Sequence, residues 1–422
     1  MLSLTIVSLI KIGLMIGCLM GATSYLVLLE RWIAAWLQDR RGPNRAGIPM
    51  TNIRLFGLGQ PICDGVKFIC KEEFTPRHVS KALYFLAPMI LFIGALAAFA
   101  VVPFGSVLPS IPFPESWGVS DPIRLMAAPG LDVGMIYMFA VGSVAVYGVM
   151  LGGWASNNKY SLMGGLRSAA AMISYELPLG LGILGVVFLA GSLRLDVIIA
   201  AQADSGYWNV MVQPLGFVVF AIAAFAEAGR LPFDLAEAEQ ELVAGYHTEY
   251  SGMKLMMYLV GEYLHMIAAS FLMVILFFGG WHFWGLTDAA NGPGGEEIGW
   301  VVALLRVVVL LSKTLGVIVF FMVARWSWPR FRFDQLMTMA WKVMLPLGLV
   351  NIVVVACWFE WTGQAGGPVM AVVGWIVLFG AWVVVTLIVP ASCDNRPRLE
   401  PVATYREADY RDTGQTTAEG SR

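Results

Sequence analysis

The chain has 422 residues, 58% of them hydrophobic and 13% charged, with a mean hydropathy of +0.72. A soluble domain carries about 25% charged residues, so this composition excludes an ordinary globular domain and indicates an all-α, polytopic membrane protein. The net charge of −2 hides an uneven distribution, and Cys18, Cys63, Cys70, Cys357 and Cys393 lack C-x-x-C spacing, which argues against a metal centre or a disulfide framework and leaves any redox cofactor to a partner.

In chain order, nine candidate spans lie at about 5–29, 82–103, 132–154, 164–190, 211–227, 254–280, 299–325, 336–359 and 368–390. Each is long enough to cross roughly 30 Å at about 1.5 Å per residue. The span at 211–227 is near the lower limit, and Lys342 and Pro346 interrupt the eighth. The first span contains Lys11 and runs into Glu30-Arg31-Trp32 without a small-residue cleavage site, so it reads as a retained helix.

The loop after the first span holds Arg31, Arg40, Arg41, Arg45, Arg54, Lys67, Lys71, Arg77 and Lys81. Alternate loops on that side add Lys159, Arg167, Arg230, Lys254, Arg325, Arg330, Arg332 and Lys342, whereas the opposite loops hold only Arg124 and Arg194. Basic residues collect on the cytoplasmic side, which places the N-terminus outside and the C-terminal tail inside. Segment 62–73 alternates an apolar face (Ile62, Val66, Ile69) with a charged one (Asp64, Lys67, Lys71), and is expected to lie in the membrane interface. It serves either as a surface strut or as one wall of an entrance for a lipid-soluble ligand. The proline-rich loop 104–131 is an outer connection without assigned chemistry. Residues 1–390 form the membrane domain, and the polar tail 391–422, which lacks apolar periodicity, is expected to be disordered.

Several charges lie inside the apolar runs. Glu176 is 12 residues beyond Gly164, about 18 Å deep, where a carboxylate must be protonated, paired or wetted. Pro178 frees the carbonyl of Ser174 and predicts a local kink, and Tyr175 offers a hydroxyl for proton relay. Glu262 and His265 share one helical face, as do Arg306 and Lys313. These groups either pair between helices or line a buried proton path. Between two spans, 225–254 carries six acids, Glu227, Asp234, Glu237, Glu239, Glu241 and Glu249, opposed by Arg230 and Lys254. Asp234 and Glu237 fit an Asp-x-x-Glu capping box, which accounts for two of the six. The whole stretch reads as an acidic loop that receives protons at the membrane surface. In the first basic loop, Trp32 and Trp36 are spaced as interfacial anchors, and Gln38, Arg40 and Arg41 precede a Gly42-Pro43-Asn44 turn. Arginines beside aromatic rings suit a polar quinone head or an acidic partner surface, and equally suit topogenic charge. Nothing marks a nucleotide or nucleic-acid site.

Three stretches, ERWIAAWLQDRRGPNRAG (30–47), GWASNNKYSLMGGLRSAAAMISYELPLG (153–180) and FAEAGRLPFDLAEAEQELVAGYHTEYSGMK (225–254), closely resemble, in order, the H-subunit family of bacterial respiratory complex I, proton-translocating NADH-quinone oxidoreductase. Its mitochondrial counterpart is NADH dehydrogenase subunit 1. The resemblance covers roughly 5–390. It implies a multi-pass subunit of the bacterial inner (cytoplasmic) membrane that helps form a quinone chamber and couples quinone reduction to proton translocation. It assigns Glu176, Glu227, Asp234, Glu237, Glu239, Glu241, Glu249 and Glu262 to a proton route, and Arg31, Gln38, Arg40, Arg41, Arg230 and the 62–73 helix to the border of the quinone passage. It further implies no cofactor on this chain, quinone as substrate, and iron–sulfur clusters, FMN and NADH in partner subunits. Expected partners are the quinone-site iron–sulfur subunit and its hydrophilic-arm neighbours, small membrane subunits, antiporter-like pumps and membrane lipids, with no nucleic acid. Three alternatives stand beside this. An equivalent subunit of a hydrogenase or coenzyme-dehydrogenase complex shares the coupling chemistry. An independent proton-coupled transporter predicts an inverted repeat, which is not evident. A passive anchor predicts dispensable acids. In sealed vesicles of known orientation, a Gln240→Cys thiol should react with an impermeant reagent only from the cytoplasmic face; labelling from outside reverses the topology.

Overall fold

The computed structural model describes residues 2–47, 56–109, 123–234, 243–284, 286–287, 299–362 and 367–388. The helices are α1 (Leu2–Leu37), α2 (Gln60–Cys70), α3 (Lys81–Ala98), α4 (Gly134–Ala155), α5 (Lys159–Ala190), α6 (Leu195–Ser205), α7 (Asn209–Val212), α8 (Pro214–Glu227), α9 (Gly252–Phe277), α10 (Trp300–Ser327), α11 (Phe333–Thr338), α12 (Leu345–Thr362) and α13 (Pro368–Ile388). A π-helical turn, Met339–Met344, joins α11 to α12. A short antiparallel pair, β1 (Val107–Leu108) and β2 (Ile123–Arg124), lies between α3 and α4. By contacts the chain divides at 379/380, and the described part of the second unit is the end of α13.

Among the described residues, eight helical stretches are long and apolar enough to cross a membrane, and Pro214–Glu227 is a shorter apolar helix. The protein is thus a polytopic helical membrane protein of about nine spans, as expected. The fifth span differs from the reading of 211–227. Its helix has 14 residues, about 21 Å, and begins at Pro214, because proline has no N–H to lose in the first turn. Val212 belongs to the separate turn α7. The eighth span continues through Lys342 and Pro346 by way of the π-helical turn, a common local answer to a missing amide donor. Helix α5 likewise runs as one helix from Lys159 to Ala190 through Pro178. The amphipathic helix α2 has no buried residue and exposes Ile62, Val66 and Ile69, as an interfacial helix does.

Helix α9 is the axis of the core. From Met266 to Phe277 almost every side chain is buried, packed with Phe99, Tyr175, Phe220 and Phe321. Close backbone approach positions the chain just before α9. At Gly164 a Cβ would lie 2.7 Å from Gly245 Cα, so only glycine lets the 245–246 backbone rest on α5. There the Ser161 hydroxyl donates to the Tyr246 carbonyl at 3.0 Å.

Ion pairs and cation caps fasten the two ends of the bundle. At one end the Lys313 ammonium donates to the carbonyls of Phe278, Gly280 and His282 at 2.7, 3.1 and 2.6 Å, and Arg306 donates to the Thr287 carbonyl at 2.9 Å. Both cations thus cap the chain leaving α9; among the described residues Lys313 has no carboxylate within ion-pair distance. At the same end Arg194 pairs with Asp196 at 2.8 Å. Burial alone raises the Asp196 carboxyl, but Arg194, the Val197 amide and Arg124 outweigh it and hold the group below its ordinary range.

At the opposite end Glu30 of α1 is buried. It pairs with Arg325 in the last turn of α10, accepts from the Tyr263 hydroxyl of α9, and lies 3.7 Å from Arg230, whose guanidinium stacks 4.3 Å over the Tyr263 ring. One carboxylate therefore ties α1, α9, α10 and the chain after α8. Glu30→Gln removes the buried charge that these groups share. The expected cost is about 3–5 kcal/mol, read as a lower thermal midpoint of the purified assembly. An unchanged midpoint contradicts this role.

Candidate functional site

The first element is the basic border at the end of α1. The Trp32 and Trp36 rings stack at 6.4 Å, and Trp32 Nε1 donates to the Pro43 carbonyl at 3.0 Å, which folds the loop back on α1. A Cβ at Gly42 would sit 2.4 Å from the Trp32 ring, so this turn needs glycine. Arg31 pairs with Asp64 at 2.8 Å and pins α2 to the end of α1. Arg40 Nε donates to Gln38 Oε1 at 2.8 Å. Arg41 and Arg45 line an open recess of about 610 Å³ with Gln60 at the start of α2. Arg31, Gln38, Arg40 and Arg41 are all exposed. Arg230 is instead buried against Glu30.

The second element is a pair of acids inside the bundle. Glu176 of α5 accepts from the Ser143 hydroxyl of α4. Glu227 ends α8 and lies within electrostatic reach of Glu176. A Cβ at Gly142 would be 3.7 Å from Glu227 Oε1, so consecutive residues of α4 approach both carboxylates. His265 of α9 joins Glu227, Gly142 and Ala228 around a cavity of about 30 Å³, and among the described residues its buried Nε2 has no hydrogen-bond partner. A water needs about 10–15 Å³ of such space, so the cavity has room for a water between imidazole and carboxyl. Tyr175, expected as a relay, donates instead to the Leu336 carbonyl at 3.0 Å and fixes α11 to α5.

The third element is the chain leading into α9. Tyr246 donates to Glu262, which lies about three turns inside α9, and Asn158 Nδ2 donates to Glu249 Oε1 at 2.7 Å. The Tyr84 hydroxyl donates to the Glu249 carbonyl at 2.7 Å. Tyr84 and Tyr250 stack at 4.2 Å, and Tyr258 packs edge-on to both Tyr250 and Tyr246. Burial pushes the Tyr250 phenol up to about 12, so it stays neutral and a donor, to the Tyr84 carbonyl at 3.2 Å. Lys254, nearly buried, meets Thr75 at 3.0 Å and Glu73 at 3.6 Å.

Asp234 is buried and 3.6 Å from Arg330. Glu237, Glu239 and Glu241, and with them the Asp234–Glu237 capping box, lie outside the described residues, as does the tail from 391. The structure thus groups Glu176 with Glu227, and Glu249 and Glu262 along one tyrosine cluster. The residues that sequence reasoning missed are Glu30, Ser143, Tyr246 and Tyr263. The rule that singles out Glu176, an acid in an apolar run, also marks Glu30; the three hydroxyls carry no such signal. Among the described residues no three His, Cys, Asp or Glu side chains are grouped to hold a metal ion.

Comparison with known proteins identifies the family. The profile of the family described as NADH dehydrogenase matches residues 10–356. The H subunit of NADH-quinone oxidoreductase from Syntrophotalea carbinolica is 44% identical over 354 residues, covering 84% of this chain and 96% of that protein. The H 1 subunit of the Geobacter metallireducens enzyme is 45% identical over 348 residues, 82% and 95% of the two chains. The H subunit from Leptospira biflexa is 46% identical over 348 residues, 81% and 91%. Matched over most of both lengths, the chain belongs to the NADH dehydrogenase family of membrane subunits, with the H subunits of NADH-quinone oxidoreductase, and is part of a multi-subunit enzyme.

Proposed function

We propose that this chain, in the inner membrane of a bacterium with its basic face to the cytoplasm, borders a quinone site and carries protons between that site and the membrane interior. The observation that supports this most is the meeting of Glu176 and Glu227 from separate helices around Gly142-Ser143, with His265 and a water-sized cavity beside them. Intramembrane ionisable groups that face the bundle interior from separate helices are characteristic of proton relays. In this reading quinone is the substrate, and the iron–sulfur clusters, FMN and NADH that feed it electrons belong to partner subunits. The small membrane subunits and antiporter-like pumps continue the route.

The chemistry assigned to this chain is binding and proton movement. A quinone that accepts electrons becomes basic at its oxygens and draws protons. The exposed guanidiniums of Arg31, Arg40 and Arg41, with Gln38 held by Arg40, attract and orient the polar head at the end of α1, and α2 forms the wall beside it. Arg230 acts from the buried side, through Glu30. The acids of the loop, Asp234, Glu237, Glu239, Glu241 and Glu249, supply protons from the cytoplasm. Glu262 receives a hydrogen bond from Tyr246 and links that loop to α9. Glu227 and Glu176 then hold the proton inside the bundle. Because Glu176, Glu227 and Glu262 lie on three different helices, a change of charge on one alters the field at the next, which is how quinone chemistry at one end acts on partners at a distance.

Two substitutions test the two halves of this reading. Glu176→Gln in the assembled enzyme should leave quinone reduction largely intact and lower the protons moved per electron; an unchanged ratio removes Glu176 from the route. Arg40→Ala should raise the KM for quinone about tenfold or more, since a hydrogen bond to a charged group contributes about 1.5–3 kcal/mol. Normal kinetics with normal assembly would take Arg40 off the quinone border.

A further inference from the structure

Between α8, α9, α10 and the π-helical turn lies a groove of about 720 Å³, lined almost wholly by apolar side chains such as Phe217, Phe225, Met273, Val317 and Phe320. It is lined on α10 by Lys313, Gly316, Val317 and Phe320 and reaches Trp328 just past that helix, about 22 Å from Lys313 at about 1.5 Å per residue. That is longer than one leaflet's share, about half, of a hydrocarbon core roughly 30 Å thick. Phe320 is 50% exposed, and a Cβ on Gly316 would meet nothing within 4 Å, so the wall on the α10 side is open.

The ends of the groove differ. At one end Lys313 seals it. An ammonium has three N–H donors, and all three are used on backbone carbonyls, so no donor remains there for a phosphate. At the other end Trp328 and Phe331 form the rim, and Arg330 and Arg332 flank Phe331 in sequence. Trp326 and Trp328 are about half exposed, as interfacial tryptophans are. Arg330 is engaged with Asp234, whereas Arg332 is exposed and has no carboxylate within ion-pair distance among the described residues. A slender apolar chain with an anionic head fits both the groove and its single charged rim.

We propose that this groove binds an anionic phospholipid of the cytoplasmic leaflet, with an acyl chain along α10 and the phosphate at Arg332. The leaflet follows from the basic-side-in orientation; the site itself does not depend on the coupling mechanism. The bound lipid fills the gap between α10 and the π-helical turn, and its head lies next to the Arg330–Asp234 pair. A photoreactive benzoylphenylalanine in place of Phe320, in the assembled enzyme in membranes containing phosphatidylglycerol, should give an adduct with the mass of phosphatidylglycerol. An adduct with another polypeptide or with an isoprenoid quinone overturns the proposal. Gly316→Trp fills the open wall and should reduce co-purifying phosphatidylglycerol at this site at least fivefold, while Arg332→Gln should shift the adduct toward phosphatidylethanolamine. Equal phosphatidylglycerol capture by Gly316→Trp and the parent enzyme, with both assembled, also overturns it.

Discussion

A carboxylate inside a bilayer has to be compensated where it stands, and the placement of Glu30 follows from that requirement. It is buried, yet it meets Arg325, Arg230 and the Tyr263 hydroxyl. Compensation on this scale makes the charge tolerable and simultaneously fixes four parts of the chain around it. The orientation of α10 relative to α1, and the path of the chain leaving α8, depend on this contact. So does the acidic loop, because it contains Arg230, and Asp234, four residues further on, is paired to Arg330.

Elsewhere, among the described residues, carboxylates are met without a countercharge. Glu176 has a hydroxyl, Glu262 has a phenol, and Glu249 has an amide and sits beside a tyrosine stack. Neutral donors stabilise a carboxylate less than a guanidinium does, and that difference divides the acids into two kinds. Glu30 and Asp234 stand next to arginines. Glu176, Glu249 and Glu262 meet neutral donors, and Glu227 borders a small cavity; these are the acids that the proposed route runs through. Lys313 and Arg306 belong to neither kind, since they cap backbone carbonyls at the other end of the bundle.

Much of this is legible in the sequence, for a physical reason. Crossing a membrane demands long apolar runs, and the cost of intramembrane charge makes Glu176 and Glu262 conspicuous. The amphipathic segment after the first loop is legible because its apolar face repeats at helical spacing. What composition does not carry is partnership. Tyr263 and Arg325 lie 233 and 295 residues from Glu30, and no periodicity links them. Lys313 finds carbonyls, which every residue has, so its role as a cap leaves no trace in the sequence. The start of α8 is misread for another reason: hydrophobicity continues through Val212 into Pro214, and only the proline marks where the helix begins.

The central claim is that Glu227 and its neighbours change protonation when quinone is reduced. Infrared difference spectroscopy of the assembled enzyme, recorded as quinone becomes quinol, measures this directly through the C=O stretch of protonated carboxyl groups. The account predicts a carboxyl band that appears or shifts on reduction and is lost in Glu227→Gln while quinone is still reduced. A spectrum without such a band, or one that keeps it unchanged in Glu227→Gln, would contradict the account.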